Sequence, residues 1–501
     1  MSQRTETEER NRHRDRLDRI YDELDGSGDV IIQTINVGKE EPKRAFRILM
    51  CSGMVDMQTV FIALLPQMDK LAEDLNKDAG GLEQADHKQE SVIMEKGDRY
   101  KKGCSFGARL SLDNEREVAY LFSSLYSGSV ITVDEATRSV YIFDIASIPG
   151  RQPEESTMEL SIKGPRDGFV EGLSTNIALI RRRLRTPDLQ VEYLKIGSES
   201  QTEISMMFMR GKADRALVNE TRKRLHAIHI EALYSSSELE ELVSDRPNSL
   251  FPLVDYIGRP DYVVQALMKG RVCLVVDGNP SVIILPGNFT LLVKSPEDAH
   301  LPFYFVTLER LLRFAGFVLA ICLPGFWVAL SAYNTDQIPF TLLATVTNSR
   351  VGLPISATME MFLMMMMFEL FREAGVRLPR PVGQTVSVVG GLIIGDAAIR
   401  AGITSPTMLV AAAITAVATF TLVNQTLSGT VSILRFFVLI LSSIFGIFGF
   451  FAGVFIILIY MCSLETFNQH YMQPLAPIKW RELVTAFIQK PWKSRAKGEK
   501  P

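Results

Sequence analysis

Three carboxylates stand in stretches of the chain where water is scarce: Glu360 and Glu369 within TMEMFLMMMMFELFREAG, and Asp396 within VVGGLIIGDAAI. An ionised carboxylate at membrane depth is costly unless it faces water or a partner, so each is a candidate for function. A ring of such groups would attract cations. The plainer alternative places Glu369 and Asp396 near an interface, with Glu369 paired to Arg372 or Arg377; Glu360 is then the better pore or gate candidate. Beside them, Pro381 to Ile399 has the profile of a pore lining. Its small residues Gly383, Ser387, Gly390, Gly391 and Gly395 allow close backbone approach, and Gln384 and Thr385 add polar groups. Val386, Val388, Val389 and Ile393 could close such a path by dewetting. A glycine-rich helix packed inside a bundle would read the same way.

A second constellation is GPRDGF, where Gly164 and Gly168 bracket Pro165, Arg166 and Asp167 ahead of a helix carrying Asn176 and the run Arg181 to Arg183. Glycines before a helix with basic residues could cradle a phosphate, but the GxxxxGK[ST] pattern is absent. A structural turn or inter-subunit contact with a solvated basic helix face accounts for these residues better. The run Met364 to Met367 lacks spaced metal ligands and reads as packing. His226 and His229 have no carboxylate or cysteine partner, and the five cysteines show no CxxC spacing, so neither a metal site, a cofactor nor a catalytic constellation is expected. GIFGFFAG contains GxxxG at Gly449 and Gly453, a spacing that suits close helix crossing.

The elements that must position these residues fall into two solvents. From Met1 to about His300 charges recur every few positions, whereas from Leu311 to Met461 ionisable groups are scarce. The fold class expected is an α/β cytoplasmic N-terminal region followed by an all-α polytopic membrane domain. Residues 1–40 read as a charged flexible lead without a signal peptide, 41–157 and 158–300 as two α/β subdomains, 301–472 as the membrane domain and 473–501 as a basic cytoplasmic tail. A net charge of −3 with no long basic face argues against nucleic acid as a partner.

Within the membrane domain, runs of ~20 apolar residues mark spans. These are Leu311 to Tyr333, Ala357 to Phe371, Thr407 to Val423, and Ser432 to Met461 as one tilted helix. Lys294, Arg310 and Arg313, then Arg372, Arg377 and Arg380, then Lys479 to Lys500 all belong inside by the positive-inside rule. They agree if the segment at about 382–398 is re-entrant or interior, leaving four full spans.

In IKGPRDGFVEGLSTNIALIRRRLRTPDL, in LVDYIGRPDYVVQALMKGRVCLVVDGNPSVIILPGNF and in FELFREAGVRLPRPVGQTVSVVGGLIIGDAAI, and over most of its length from about Arg44 to the tail, the chain resembles the A subunit of the GerA-type spore germinant receptors. The resemblance implies a place in the inner membrane of the dormant bacterial spore, beside a transporter-like B subunit that binds the nutrient and a lipoprotein C subunit. It also implies a homopentamer around a central cation pore; a close sister group is the stage V sporulation subunit. Gly258, Met365 and Ser356 depart from the acidic residue, carboxylate and proline common at the matching positions. The resulting expectation is a germinant receptor subunit, not an enzyme, that forms a cation-conducting pore gated by its partner. A non-conducting membrane scaffold is the alternative.

Overall fold

In a computed structural model, residues 16–80, 108–143, 163–377, 395–489 and 491 are described, with breaks at 25, 39–42, 56–57, 59, 111 and 113–114. The chain divides into two compact units, one holding residues 165–243 and 256–285 with all that precedes 162, the other holding 162–164, 244–255 and everything from 286 on.

The first unit contains two antiparallel five-stranded sheets. One is formed by β1 (Val30–Val37), β2 (Arg44–Cys51), β3 (Ala108–Leu110), β4 (Val130–Asp134) and β5 (Val140–Phe143), in the order β1-β2-β4-β5-β3. The other is formed by β6 (Leu189–Ile196), β7 (Thr202–Met209), β8 (Asp255–Ile257), β9 (Val272–Val276) and β10 (Val282–Leu285), in the order β6-β7-β9-β10-β8. The two orders are the same, displaced by five strands. The helices repeat as well: α1 (Leu65–Gly80) and α2 (Glu115–Leu125) flank β3 in sequence, while α4 (Arg215–His226), α5 (Ser236–Val243) and α6 (Pro260–Met268) flank β8. One further helix, α3 (Leu173–Arg181), precedes β6.

Apolar runs explain the central strands, since VITVD and VCLVV are buried at every position and rich in β-branched residues. A hairpin around Asp277 and Gly278 joins β9 to β10, with Val275 opposite Val282 and Gly278 at a φ of 81°. The lead expected over 1–40 is corrected here. Residues 16–24 are helical with Leu17, Ile20 and Leu24 buried, and β1 pairs along its whole length with β2. Charge at every second or third position hid the apolar spacing at 17, 20 and 24.

A fully buried ion pair joins the two sheets' neighbourhoods. Arg181, at the end of α3, donates from Nε to Asp29 Oδ2 at 2.6 Å and from Nη2 to Asp29 Oδ1 at 2.8 Å, to Ser27 Oγ at 2.7 Å and to the Leu189 carbonyl at 2.7 Å. Its guanidinium stacks over the Tyr126 ring at 4.3 Å. Burial by itself would raise the Asp29 carboxyl, but the Arg181 charge and the hydrogen bonds from Arg181, Ser27 and Cys51 hold it below the usual aspartate range. The solvated basic face expected for Arg181 to Arg183 is thus corrected: Arg181 is core, and Arg183 pairs with Asp167.

The second unit is helical. Its main elements are α7 (Phe303–Val328, continued by a π-turn, Ala329–Tyr333), α8 (Phe340–Ser349), α9 (Ala357–Arg377), α10 (Pro406–Phe420), α11 (Gln425–Ser463) and α12 (Trp480–Phe487). Two of these, Phe303–Tyr333 and Gln425–Ser463, are long and apolar enough to cross a membrane. Their outward residues, among them Leu312, Ile444, Phe448, Phe455 and Ile459, are apolar and exposed. Core helices of water-soluble proteins do not present such faces.

The expectation of one tilted helix over Ser432 to Met461 is also corrected. At Gly446 the backbone leaves the helix, with φ 60° and ψ −137°, and the chain folds back. A Cβ placed on Gly453 would lie 3.3 Å from Leu441 Cδ1 and 3.6 Å from Val438 Cα. In a straight helix positions 438 and 453 would stand roughly 22 Å apart. The arms 425–445 and 447–463, roughly 31 Å and 26 Å long at the helical rise, are each long enough to span the hydrocarbon layer. The close crossing expected at Gly449 and Gly453 occurs inside this hairpin.

Candidate functional site: buried charge and a clamped hairpin

Glu360 lies in the first turn of α9 and is fully buried. Its Oε1 accepts from Thr404 Oγ1 at 3.0 Å and from Ser405 Oγ at 2.7 Å and Ser405 N at 2.5 Å. Ser405 is the N-cap of α10, so the carboxylate sits where unpaired amides and the helix dipole favour negative charge. Arg350 Nε stands 3.7 Å from Oε2. Around this polar knot Met361, Met364 and Met365 pack on Met408, Ala411 and Ala412, the packing use read from the methionine run. Within the single chain Glu360 therefore fastens α9 to α10, and it faces no water.

A second buried charge had gone unnoticed in the sequence. Arg435 lies in the first arm of α11, buried, and donates from Nη2 to Glu369 Oε2 at 2.8 Å and from Nη1 to Thr419 Oγ1 at 3.2 Å. Glu369 also pairs with Arg372, as the sequence suggested, and accepts from Ser432 Oγ at 3.2 Å. Arg372 Nη1 reaches Ser428 Oγ at 3.1 Å. One carboxylate thus links α9 to α11 through two arginines, while Arg435 also binds α10. An arginine alone in an apolar run was the signal available for finding it.

Because Glu360 in the first turn of α9 meets Ser405 at the start of α10, and Glu369 further along α9 meets Arg435, which in turn donates to Thr419 near the end of α10, the two helices run in the same direction. The described flanks of 378–394 therefore lie at opposite ends of α9. The four spans expected from the sequence took Ser432 to Met461 as one helix, where the structure has two arms. Gln384, Ser387, Val388, Val389, Gly390 and Gly391 lie outside the described residues. Asp396 is described: its side chain is 59% exposed and pairs with Arg400 at 2.9 Å.

The GPRDGF turn serves architecture. Gly164, Pro165, Arg166 and Gly168 lead to Phe169, whose N–H bonds the Gly258 carbonyl at 2.9 Å. Asn176, buried, spends its amide on Val170, accepting from its N–H at 2.8 Å and donating to its carbonyl at 2.5 Å. Asp277 Oδ1 accepts from Leu173 N at 3.0 Å, at the start of α3.

A loop, residues 244–255, whose chain neighbours are α5 and β8, bonds to both arms of α11. Leu250 N donates to Tyr460 Oη at 3.1 Å and its carbonyl accepts from Thr430 Oγ1 at 2.5 Å, so one residue grips both arms of the hairpin. Phe251 lies between the rings of Tyr460 and Tyr471, with centroids at 6.1 Å and 5.8 Å. Asp245 Oδ2 accepts from Phe467 N at 2.7 Å, and Asp255 Oδ1 from Asn424 Nδ2 at 2.9 Å, at the start of α11. Phe251 and Leu253 share a core with Phe289, Phe317, Val431, Leu434 and Ile457.

Residues 18–500 match the sequence model of GerA, described as the Bacillus/Clostridium GerA spore germination protein. The chain belongs to the GerA family. It is 38% identical over 478 residues to spore germination protein XA of Bacillus anthracis, covering 95% of this chain and 93% of that one. It is 33% identical over 470 residues to spore germination protein KA of Bacillus subtilis (strain 168), covering 94% and 83%. Among solved structures, the N-terminal domain of the A subunit of the Bacillus megaterium spore germinant receptor GerK3 matches with 27% identity and a TM-score of 0.37, over 55% of this chain and 94% of that one. This GerA-family chain is a membrane-associated germination protein with an α/β N-terminal region and a helical C-terminal half.

Proposed function

We propose that this chain is the A subunit of a nutrient germinant receptor and forms, as a homo-oligomer, the cation path that opens when a partner subunit binds nutrient. Family membership supports the germination role. The coupling rests on one observation, the grip of residues 244–255 on both arms of α11. The loop lies between α5 and β8 in the chain, so a shift of either one pulls on residues that hold both arms. Gating is then a change of population between two packings of the bundle.

In this reading a transporter-like B subunit and a lipoprotein C subunit are the partners, and the chain performs no catalysis. The inner membrane of the spore is its location, with the N-terminal region and tail on the cytoplasmic side. The oligomer is a pentamer by family resemblance, and Gln384, Ser387, Val388 and Val389 are its lining candidates. A second reading, a non-conducting scaffold, is favoured by the way Glu360 and Arg435 are consumed inside one chain.

Liposomes holding the chain with its B and C partners discriminate the two. Nutrient-triggered cation flux that is blocked by Val389→Trp, and weakened by Phe251→Ala in complexes that still assemble, supports the channel. A complete complex that passes no cations with nutrient present leaves the scaffold.

A further inference from the structure

The last described helix, α12, is two-faced. One face docks on the first turns of α7: the Ala486 carbonyl accepts from Arg310 Nη1 at 3.1 Å, and Phe487 packs edge-on to Phe314 at 5.3 Å. Just beyond, Gln489 N donates to Thr307 Oγ1 at 3.1 Å and Gln489 Nε2 to the Asp298 carbonyl at 2.9 Å. The other face carries Trp480, Val484 and Ile488 at four-residue spacing, all exposed, with Trp480 at 71% and Ile478 beside it. The first turns of α7 carry Arg310 and Arg313, cations that mark the level where a span meets the headgroups. On the same turns Phe303, Tyr304, Leu308 and Leu311 are exposed, so the apolar face of α12 continues the outward face of α7 at an aromatic level. Lys479 precedes the helix, and from it to Lys500 the sequence holds seven basic residues and two acidic ones.

We propose that α12 lies in the headgroup layer of an anionic bilayer, with Ile478, Trp480, Val484 and Ile488 inserted, drawn there by the net positive charge that the sequence carries from Lys479 to Lys500. The apolar face and the charges answer the two signals that stable interfacial binding requires. The proposal rests on α7 crossing a bilayer.

The test uses the full chain in lipid vesicles, made as two single-tryptophan proteins. Trp327→Phe with Trp492→Phe reports Trp480; Trp480→Phe with Trp492→Phe reports Trp327, within α7. In vesicles containing phosphatidylglycerol, Trp480 emission is expected to shift to the blue and lose most of its intensity to lipids brominated near the headgroup. The blue shift should diminish in pure phosphatidylcholine, at high salt, or when Lys490, Lys493, Arg495 and Lys497 become Gln. Water-like, unquenched Trp480 emission overturns the proposal, as does blue-shifted emission that no brominated lipid quenches, which would place protein over the stripe. Quenching indifferent to phosphatidylglycerol, salt and the Gln variant overturns the anionic requirement. Trp327 quenched by deeply brominated lipid shows in each case that α7 itself spans, so failure of α12 is distinct from failure of the membrane reading.

Discussion

At the residue scale, the buried charges of Asp29, Arg181, Glu360 and Arg435 are each shared among several partners. Asp29→Ala leaves the Arg181 guanidinium unpaired in the core and should cost about 3–5 kcal/mol, read as earlier tryptic cleavage of the soluble unit in the detergent-solubilised chain. The sign with pH follows from the depressed Asp29 carboxyl. Its contribution is fully present above the ordinary aspartate pKa of about 3.9 and is lost as pH falls through the lower folded value. Acid should therefore destabilise the parent more steeply than the Ala variant; parallel acid curves would refute the shared charge. For Glu360, Gln retains an oxygen for Thr404 and Ser405, whereas Ala strands their donors at about 1–3 kcal/mol. Thermal aggregation in detergent should thus rank parent, Gln, Ala in falling stability, and an Ala variant equal to Gln would remove the fastening role. Glu360 and Glu369 were legible in the sequence because a carboxylate among methionines and phenylalanines breaks the rule of its surroundings. Arg435 breaks the same rule, yet an apolar run of thirty residues drew the reading toward its length. Its partners Glu369 and Thr419 come from two other helices, which no local pattern announces.

At the element scale, the hairpin of α11 depends on a backbone conformation that only glycine occupies freely. Gly446→Ala should cost about 1–3 kcal/mol, and Gly325→Leu should also destabilise, since even a Cβ there would lie 2.8 Å from Val438 Cγ1. Circular dichroism melting of the full chain in detergent measures both; an Ala variant as stable as the parent would contradict the turn at Gly446. The turn was hidden because glycine is common in membrane helices and signals close packing as often as reversal. Strands β2, β6, β7, β9 and β10 were readable from their apolar runs and flanking turns. By contrast β1 was obscured by its position after a charged segment, and its pairing with β2 is a tertiary fact.

At the scale of the whole molecule, the hairpin predicts where its tip emerges. In a cysteine-free background, Ile447→Cys should react with a membrane-impermeant maleimide from the face opposite the C-terminal tail, and a residue silent from both faces would restore the single tilted helix. The soluble unit shows a different regularity, one strand order used twice, which sequence inspection had not revealed because the two halves share topology and not words. The loop 244–255 carries a consequence for heredity. Its residues lie between α5 and β8 in the chain, yet they belong to the helical body. A chimera that joins the N-terminal region of one relative to the helices of another at about residue 300 transplants this loop onto a foreign hairpin. Exchanges among members of the family are expected to survive only when 244–255 travels with 424–471, so recombination should leave these two distant stretches sharing one ancestry.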